Sequence, residues 1–483
     1  MYLGLDLGTS GLKAVLMDEG GAVLASADAD YPVAHPAPGW SEQAPDDWIT
    51  GCERAVGQLA EDHPRALAAV RGIGLSGQMH GAVCLGPDDR PLRPAILWND
   101  TRAHQEAGEL DAAQGVRDLS GNIVFPGFTA PKLVWLARHE PETFAAIRTV
   151  LLPKDYLRLW LTGGKVSEMS DAAGTVWLDV GARDWSQRLL DASGMRADRM
   201  PALVEGSAPS GQLRGELARR WGMTGPVTVA GGGGDNAAAA CGTGALAEGQ
   251  GFVSLGTSGV VLLARDSYAP APETAVHTFC HAVPGTWYQM GVMLAATDCL
   301  NWLSAVTGTK PATLTGELGE APAAPARLVF LPYLSGERTP HNDSRIRGGF
   351  LNVDIGHGRA DLTRAVLEGV SFGLRDSLEA LRGAGARPAR LLAIGGGAAS
   401  EYWLRLLASV LNLPLDVPAG GAHGAALGAA RLGRIAATGE APEAVLTSPA
   451  IARTVAPDPG LAEACEAAYA RFKNLYPAVK ELP

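Results

Sequence analysis

Trp48, Ile49, Cys52, Val56 and Leu59 recur at helical spacing, as do Leu362, Val366, Val370, Leu374, Leu378 and Leu381. Each set predicts an amphipathic helix with one apolar face. Between such stretches lie short apolar runs at residues 73–75, 82–85 and 95–98, which predict strands. Residues 461–475 read as a further helix near the end of the chain. The mixture predicts an α/β protein.

One pentapeptide occurs twice. LGTSG begins at Leu7 and again at Leu255, each time between apolar runs: YLGLDLGTSGLKAVLMD and GFVSLGTSGVVLLARD. Apolar run, polar glycine turn, apolar run spells a β-hairpin in both places. Either copy alone could be no more than a tight turn. Two copies at half-chain spacing predict instead two related halves whose Gly, Thr and Ser tips face one polyphosphate with backbone N–H groups and hydroxyls.

Two more glycine clusters stand out. LLAIGGGAASEYWLRLLASVLN reads as strand, Gly395-Gly396-Gly397 and helix, the form of a nucleotide site. PVTVAGGGGDNAAAACGTGAL places Asp235 between a glycine run and an alanine-rich helix, where the helix dipole favours an ionised carboxylate able to accept a proton. The plainer alternative for Asp235 is an N-cap.

A chain of 483 residues exceeds what one core usually organises, so two domains are expected, with a boundary near residues 246–251. A net charge of −11 without a basic patch speaks against a nucleic-acid surface. Six scattered cysteines without C-x-x-C spacing indicate neither a disulfide framework nor a zinc site, as in a reducing cytoplasm. No basic leader or long apolar stretch directs the chain to a membrane. GIGLSG at residues 72–77 fits G-x-G-x-x-G, but turn and strand follow it rather than a helix. Ser10 to Lys13 fits S-x-x-K without the accompanying motifs, and no P-loop or G-x-S-x-G elbow occurs.

With these residues in view the chain resembles the FGGY family of carbohydrate kinases, which includes kinases of glycerol, gluconate and ribulose, over nearly its whole length. GFTAPKLVWLARH matches the family's first pattern, with Lys132 and Trp135 at its fixed positions. GGFLNVDIGHGRADLTRAVLE matches the second, except that Asn352 stands where glycine is usual. SGQMHG, ILWNDTR and GGGGDN resemble the branch that phosphorylates D-xylulose.

The resemblance implies a two-domain actin-like, hexokinase-like (ribonuclease H-like) ATPase fold with a central cleft, a sugar-binding half over 1–247 and a nucleotide-binding half over 248–483. It implies ATP and Mg²⁺, with D-xylulose as partner, no nucleic acid or membrane, and room for a homodimer. Residue by residue, it places Asp235 as catalytic base and Asp6 beside the transferred phosphate and its Mg²⁺. Met79, His80, Arg102 and Asn236 would border the sugar. Thr9, Ser10, Lys13, Gly256, Thr257 and Ser258 match the two phosphate loops, and Gly396, Gly397 and Ser400 the adenosine segment. His423 carries no role. Each has a plainer alternative: Asp6 a buried hairpin carboxylate, His80 a core histidine, Met79 packing, Arg102 an ion pair with Asp100. A kinase of another polyol, or a non-catalytic nucleotide sensor on the same fold, also remains open.

Overall fold

In the computed structural model, which describes residues 1–419 and 424–481, each LGTSG turn closes a hairpin inside a seven-stranded sheet. In the first sheet the strand Tyr2–Leu7 pairs antiparallel with Gly11–Met17, and that strand with Val23–Asp30. On its other side Tyr2–Leu7 pairs parallel with Gly72–Gly77, followed by Thr228–Ala230 in parallel and Pro209–Gln212 antiparallel.

The second sheet repeats this order. Gly251–Leu255 pairs antiparallel with Gly259–Arg265, and that strand with Trp287–Met293. Its other side carries Leu391–Ile394 and Leu415–Pro418 in parallel, then Ile451–Val455 antiparallel. The seventh strands differ: in the first sheet Gly233–Gly234 pairs parallel with the end of Gly72–Gly77, and in the second His277–Cys280 adds an edge beside Trp287–Met293. The repeat therefore extends from five residues to six strands of matching orientation.

The helices follow their periodicity. Pro45–Asp62 buries Trp48, Cys52, Val56 and Leu59, and Arg359–Gly383 buries Val366, Val370, Leu374, Leu378 and Leu381. Two boundaries differ from expectation. The strand expected over 95–98 ends at Ile96, and Trp98 turns its ring outward. The tail helix runs Ala462–Lys473, and Leu475–Val479 forms a separate short helix.

The helix Gly424–Thr438 falls in sequence between two strands of the second sheet, Leu415–Pro418 and Ile451–Val455, yet lies on the first sheet. Its contact is so close that a Cβ added at Gly74 would stand 1.7 Å from the Ala429 carbonyl oxygen, and one at Gly428 1.7 Å from that of Ala238. It is thus wedged between the first sheet and the helix Asp235–Thr243. One core cluster also joins both halves, combining Phe128, Ala237 and Cys241 with Phe252, Leu262 and Tyr288. No helix among the described residues is long and apolar enough to cross a membrane. His423 lies outside the described residues.

Candidate active site

Asp6 sits near the C-terminal end of Tyr2–Leu7, opposite Ser76 on the parallel strand, whose hydroxyl donates to its Oδ1 at 2.8 Å. Burial raises its carboxyl above the ordinary range, and the Ser76 bond and the charge of Lys13 offset this only in part. Asp235 begins the helix Asp235–Thr243. The N-cap is Gly234, and the Asp235 carboxylate caps nothing two or three residues on: its Oδ1 accepts from the backbone and side-chain nitrogens of Asn236, at 2.7 and 2.8 Å. Burial first, then the charge of Asp6, pushes its pKa up to about 7. The two carboxylates feel each other in a dry environment, where a base can be tuned toward neutral pH.

Met79 and His80 follow the Gly72–Gly77 strand. Met79 packs against the loop before Asp235, so that a Cβ at Gly234 would come 2.8 Å from its Cγ, and the Tyr288 hydroxyl reaches its Sδ at 3.9 Å. His80 has φ of 68°, the left-handed region that a bulky residue enters only when held there. The holding group is in the first family pattern: Lys132 Nζ donates to the His80 carbonyl at 2.8 Å and to that of Gly127 at 2.7 Å, with Thr129 Oγ1 adding a bond at 3.0 Å. The ring stacks on Phe128 at 4.4 Å. Its Nδ1 donates to the Gly174 carbonyl at 2.8 Å, which leaves Nε2 as an acceptor. Burial lowers its pKa to about 3, so the ring stays neutral.

Beneath the Asp235 loop lies a fully buried ionic cluster that the sequence reading missed. Lys154 Nζ meets Asp155 at 2.8 Å, Glu168 at 3.2 Å and Asp171 at 2.9 Å, and Arg158 meets Asp155 at 2.6 Å. Three carboxylates face two cations, and burial with the charges of Asp155 and Glu168 holds the Asp171 carboxyl well above its usual range. A neutral Asp171 balances the cluster. From here Arg158 donates to the Gly231 carbonyl, Ser170 Oγ donates to Glu168, and the N–H of Gly234 donates to Ser170 Oγ at 3.0 Å. Both ends of the glycine run are therefore held by one network. These residues lie within 154–171 but form no motif, and the density of charge along that stretch is the one signal that could have marked them.

The first LGTSG turn is braced from several sides. Thr9 Oγ1 donates to Gln78 Oε1 at 3.3 Å and accepts from Trp98 Nε1 at 3.0 Å, Gln43 Nε2 donates to the Thr9 carbonyl at 2.6 Å, and Tyr31 donates to that of Gly8 at 2.7 Å. Ser10 is exposed, and Lys13 pairs with Asp28 at 2.8 Å. At the second turn the carbonyls of Gly256 and Thr257 accept from the start of the helix Thr297–Thr307, at 2.9 and 2.8 Å. The side chains of Thr257 and Ser258 are exposed there. The third cluster packs on that turn: a Cβ at Gly397 would come 2.8 Å from that of Leu255, whereas Gly396 faces open space. Ser400 caps the helix Glu401–Leu411, its Oγ accepting from the N–H of Trp403.

Arg102 departs from expectation. Its guanidinium, with 1% of the side chain exposed, donates to Asp100 at 2.9 and 2.7 Å, meets Glu42 at 2.7 Å and lies 3.6 Å over the Trp40 ring. Its charge is matched by two carboxylates, which favours the ion-pair alternative for Arg102. The structure brings together Asp6, Asp235, Asn236, Met79 and His80, and separately the second turn with Gly396 and Gly397.

Comparison with known proteins adds the decisive observation. A family model for the N-terminal domain of the FGGY family of carbohydrate kinases matches residues 1–242, and its C-terminal counterpart matches residues 251–437. The chain belongs to the FGGY family of carbohydrate kinases. Among FGGY relatives, it is 49% identical to a xylulose kinase of Escherichia coli (strain K12), over 91% of each chain. Among solved structures, it superposes on a xyloylose kinase from Brucella ovis with a TM-score of 0.98 and 56% identity over 100% of both chains. A gluconate kinase from Lactobacillus acidophilus gives a TM-score of 0.92 at 25% identity, over 99% of this chain and 98% of that one. The two-domain actin-like architecture is thus an FGGY property shared across sugars.

An FGGY kinase needs a place for the metal of its nucleotide. Among the described residues no donor reaches Asp6 Oδ2, and Asp6 faces the mutual repulsion with Asp235 that a cation would relieve. Among the described residues no cluster of three or more ligating side chains exists. A single carboxylate with phosphate and water oxygens is how Mg²⁺ is commonly held in phosphoryl-transfer sites, so the residues fit.

Proposed function

We propose that this FGGY kinase transfers the terminal phosphoryl group of ATP to D-xylulose, giving D-xylulose 5-phosphate and ADP. The observation that carries this reading is a buried Asp235 with its pKa near 7, beside Asp6, in a chain 49% identical to a xylulose kinase. As the sugar O5 attacks the terminal phosphorus, Asp235 accepts the hydroxyl proton, the O5–P bond forms and the bond to the departing ADP oxygen breaks. Mg²⁺, held through Asp6, would supply charge neutralisation at the phosphates. Met79, His80 and Asn236 border the sugar. Ser10, Lys13, Thr257 and Ser258 meet the phosphates, with Thr9 shaping the first loop. Gly396 and Gly397 leave room for the adenosine, and Ser400 sets the helix behind it.

The same reading divides the chain into a sugar-binding half over 1–247 and a nucleotide-binding half over 248–483, with the helix Gly424–Thr438 of the second docked on the first. It places the enzyme in the cytoplasm, where ATP is at hand.

An ADP-release assay over D-xylulose, D-ribulose, glycerol and D-gluconate tests it. D-xylulose is expected to show the highest kcat/KM. A lead for D-gluconate would move the assignment to the sugar acids.

A further inference from the structure

Arg338 belongs to the second half but reaches the aromatic wall that carries His80. Its guanidinium carbon lies 4.4 Å over the Phe125 ring. Phe125 meets Phe128 edge-on at 5.6 Å, and Phe128 is the ring on which His80 stacks. On its other side Arg338 Nη1 stands 3.5 Å from His277 Nε2, while His277 Nδ1 is held by Asn122 Oδ1 at 3.2 Å.

What Arg338 lacks is an acceptor of its own strength. The adjacent Glu337 does not serve, because its Oε1 accepts from the backbone N–H groups of Leu294 at 3.1 Å and of Arg338 itself at 2.8 Å. Among the described residues Nε and Nη2 make no hydrogen bond to the protein, and neither atom is sealed inside it. Burial lowers the guanidinium pKa to about 10, which leaves it charged at neutral pH. A desolvated cation without a partner is costly unless polar atoms fill the space it faces.

The neighbours say what those atoms are. Along the wall the contacts run from the loop before Asp235 through Met79 and His80 to Phe128, Phe125 and Arg338, which puts Arg338 at the other end of this run of contacts from the base. His80 Nε2 accepts and Arg338 donates, a combination suited to carbonyl and hydroxyl oxygens.

Resting on the function proposed above, we propose that Arg338 contacts the sugar, its Nε and Nη2 donating to oxygens at the end remote from the reacting hydroxyl. Both halves then grip one substrate.

The test compares Arg338→Gln and Arg338→Lys with the wild-type enzyme, varying sugar and ATP separately and recording Tm. Loss of charged hydrogen bonds to the sugar should raise the sugar KM of Arg338→Gln by roughly 10–100-fold while the ATP KM stays within about twofold. Arg338→Lys should show the same split more weakly, because the ammonium keeps charge without the planar fork. It carries the test if Arg338→Gln fails to fold. With 1-deoxy-D-xylulose, any preference of the wild type for the C1 hydroxyl should shrink in the variants. An unchanged sugar KM, or equal rises in both KM values with a lowered Tm, would overturn the proposal and leave Arg338 as a bracket for His277. Failure of the substrate reading shows separately, in the wild type: were D-gluconate its best substrate, loss of that preference in Arg338→Gln would still support the contact.

Discussion

Burial acts in opposite directions on Asp235 and His80, the two titratable side chains proposed to flank the sugar. It raises the carboxyl of Asp235 to about 7 and lowers the imidazole of His80 to about 3, favouring the neutral form of each. His80 therefore contributes no titration near neutrality, and kcat/KM for the sugar should rise with pH through about 7 as Asp235 ionises, while Lys132, whose pKa burial lowers to about 7, gives a falling limb as it loses its proton and its hold on His80. A pH–rate profile without the rising limb would remove Asp235 as the base. The same shift has a sign in stability. A carboxyl raised in the folded state contributes stability below its unfolded value near 3.8, and this contribution is lost as pH rises through 7. Asp235→Asn cannot ionise, so its Tm should gain on the wild type between pH 4 and pH 8 while kcat falls by about 10²–10⁴. Thermal melts at both pH values, with kcat for each protein, check the two effects together. Chain position alone marked this residue, but not its N–H partners, and the N-cap alternative gave way to Gly234 in the structure.

At the scale of elements, the glycine run before Asp235 is held from below by Ser170. Ser170→Ala leaves the buried Gly234 N–H without an acceptor, which costs about 1–3 kcal/mol and loosens the backbone that aims Asp235. Denaturant melts should show that loss, and kcat should fall with little change in the ATP KM. A stable, fully active Ser170→Ala would mean that the loop holds itself. A second element bears on the one departure from the family pattern. Asn352 has φ of 62°, the region where glycine is most at ease and where asparagine is the side chain best able to follow, with its Nδ2 donating to the Arg327 carbonyl at 3.1 Å. Asn352→Gly should therefore keep stability near that of the wild type, whereas Asn352→Ala should lose about 1 kcal/mol in urea unfolding. Equal stabilities would show that the turn is not under this constraint.

At the scale of the molecule, the helix Gly424–Thr438 ties the second half of the chain to the first sheet. It fits only because Gly74 and Gly428 lack a Cβ where the backbones touch. Gly428→Ala would push the helix off Ala238 and lower stability by about 1–3 kcal/mol, and it should disturb Asp235 through the helix that begins there. Chemical denaturation alongside kcat measures both, and a neutral outcome would show that the helix can shift without disturbing the first sheet. Because core residues of both halves merge in one cluster, closure around substrate has to pivot on this packed region.

Local spacing sufficed for the elements with long periodic faces, for both LGTSG hairpins and for the position of Asp235 at the start of its helix, because each depends on neighbours within a few residues. The second copy of LGTSG even announced the second sheet, since a repeated hairpin seeds a repeated strand order. Arg102 was read toward the sugar because a sequence shows a charge but not its partners, and only folding brings Glu42 and Trp40 against it. The cluster of Lys154, Glu168 and Ser170, the hold of Lys132 on His80 and the approach of Arg338 were decided in the same way. Each depends on approaches that chain order alone does not show, and their pairing energy exists only once the hydrophobic cores have set the distances.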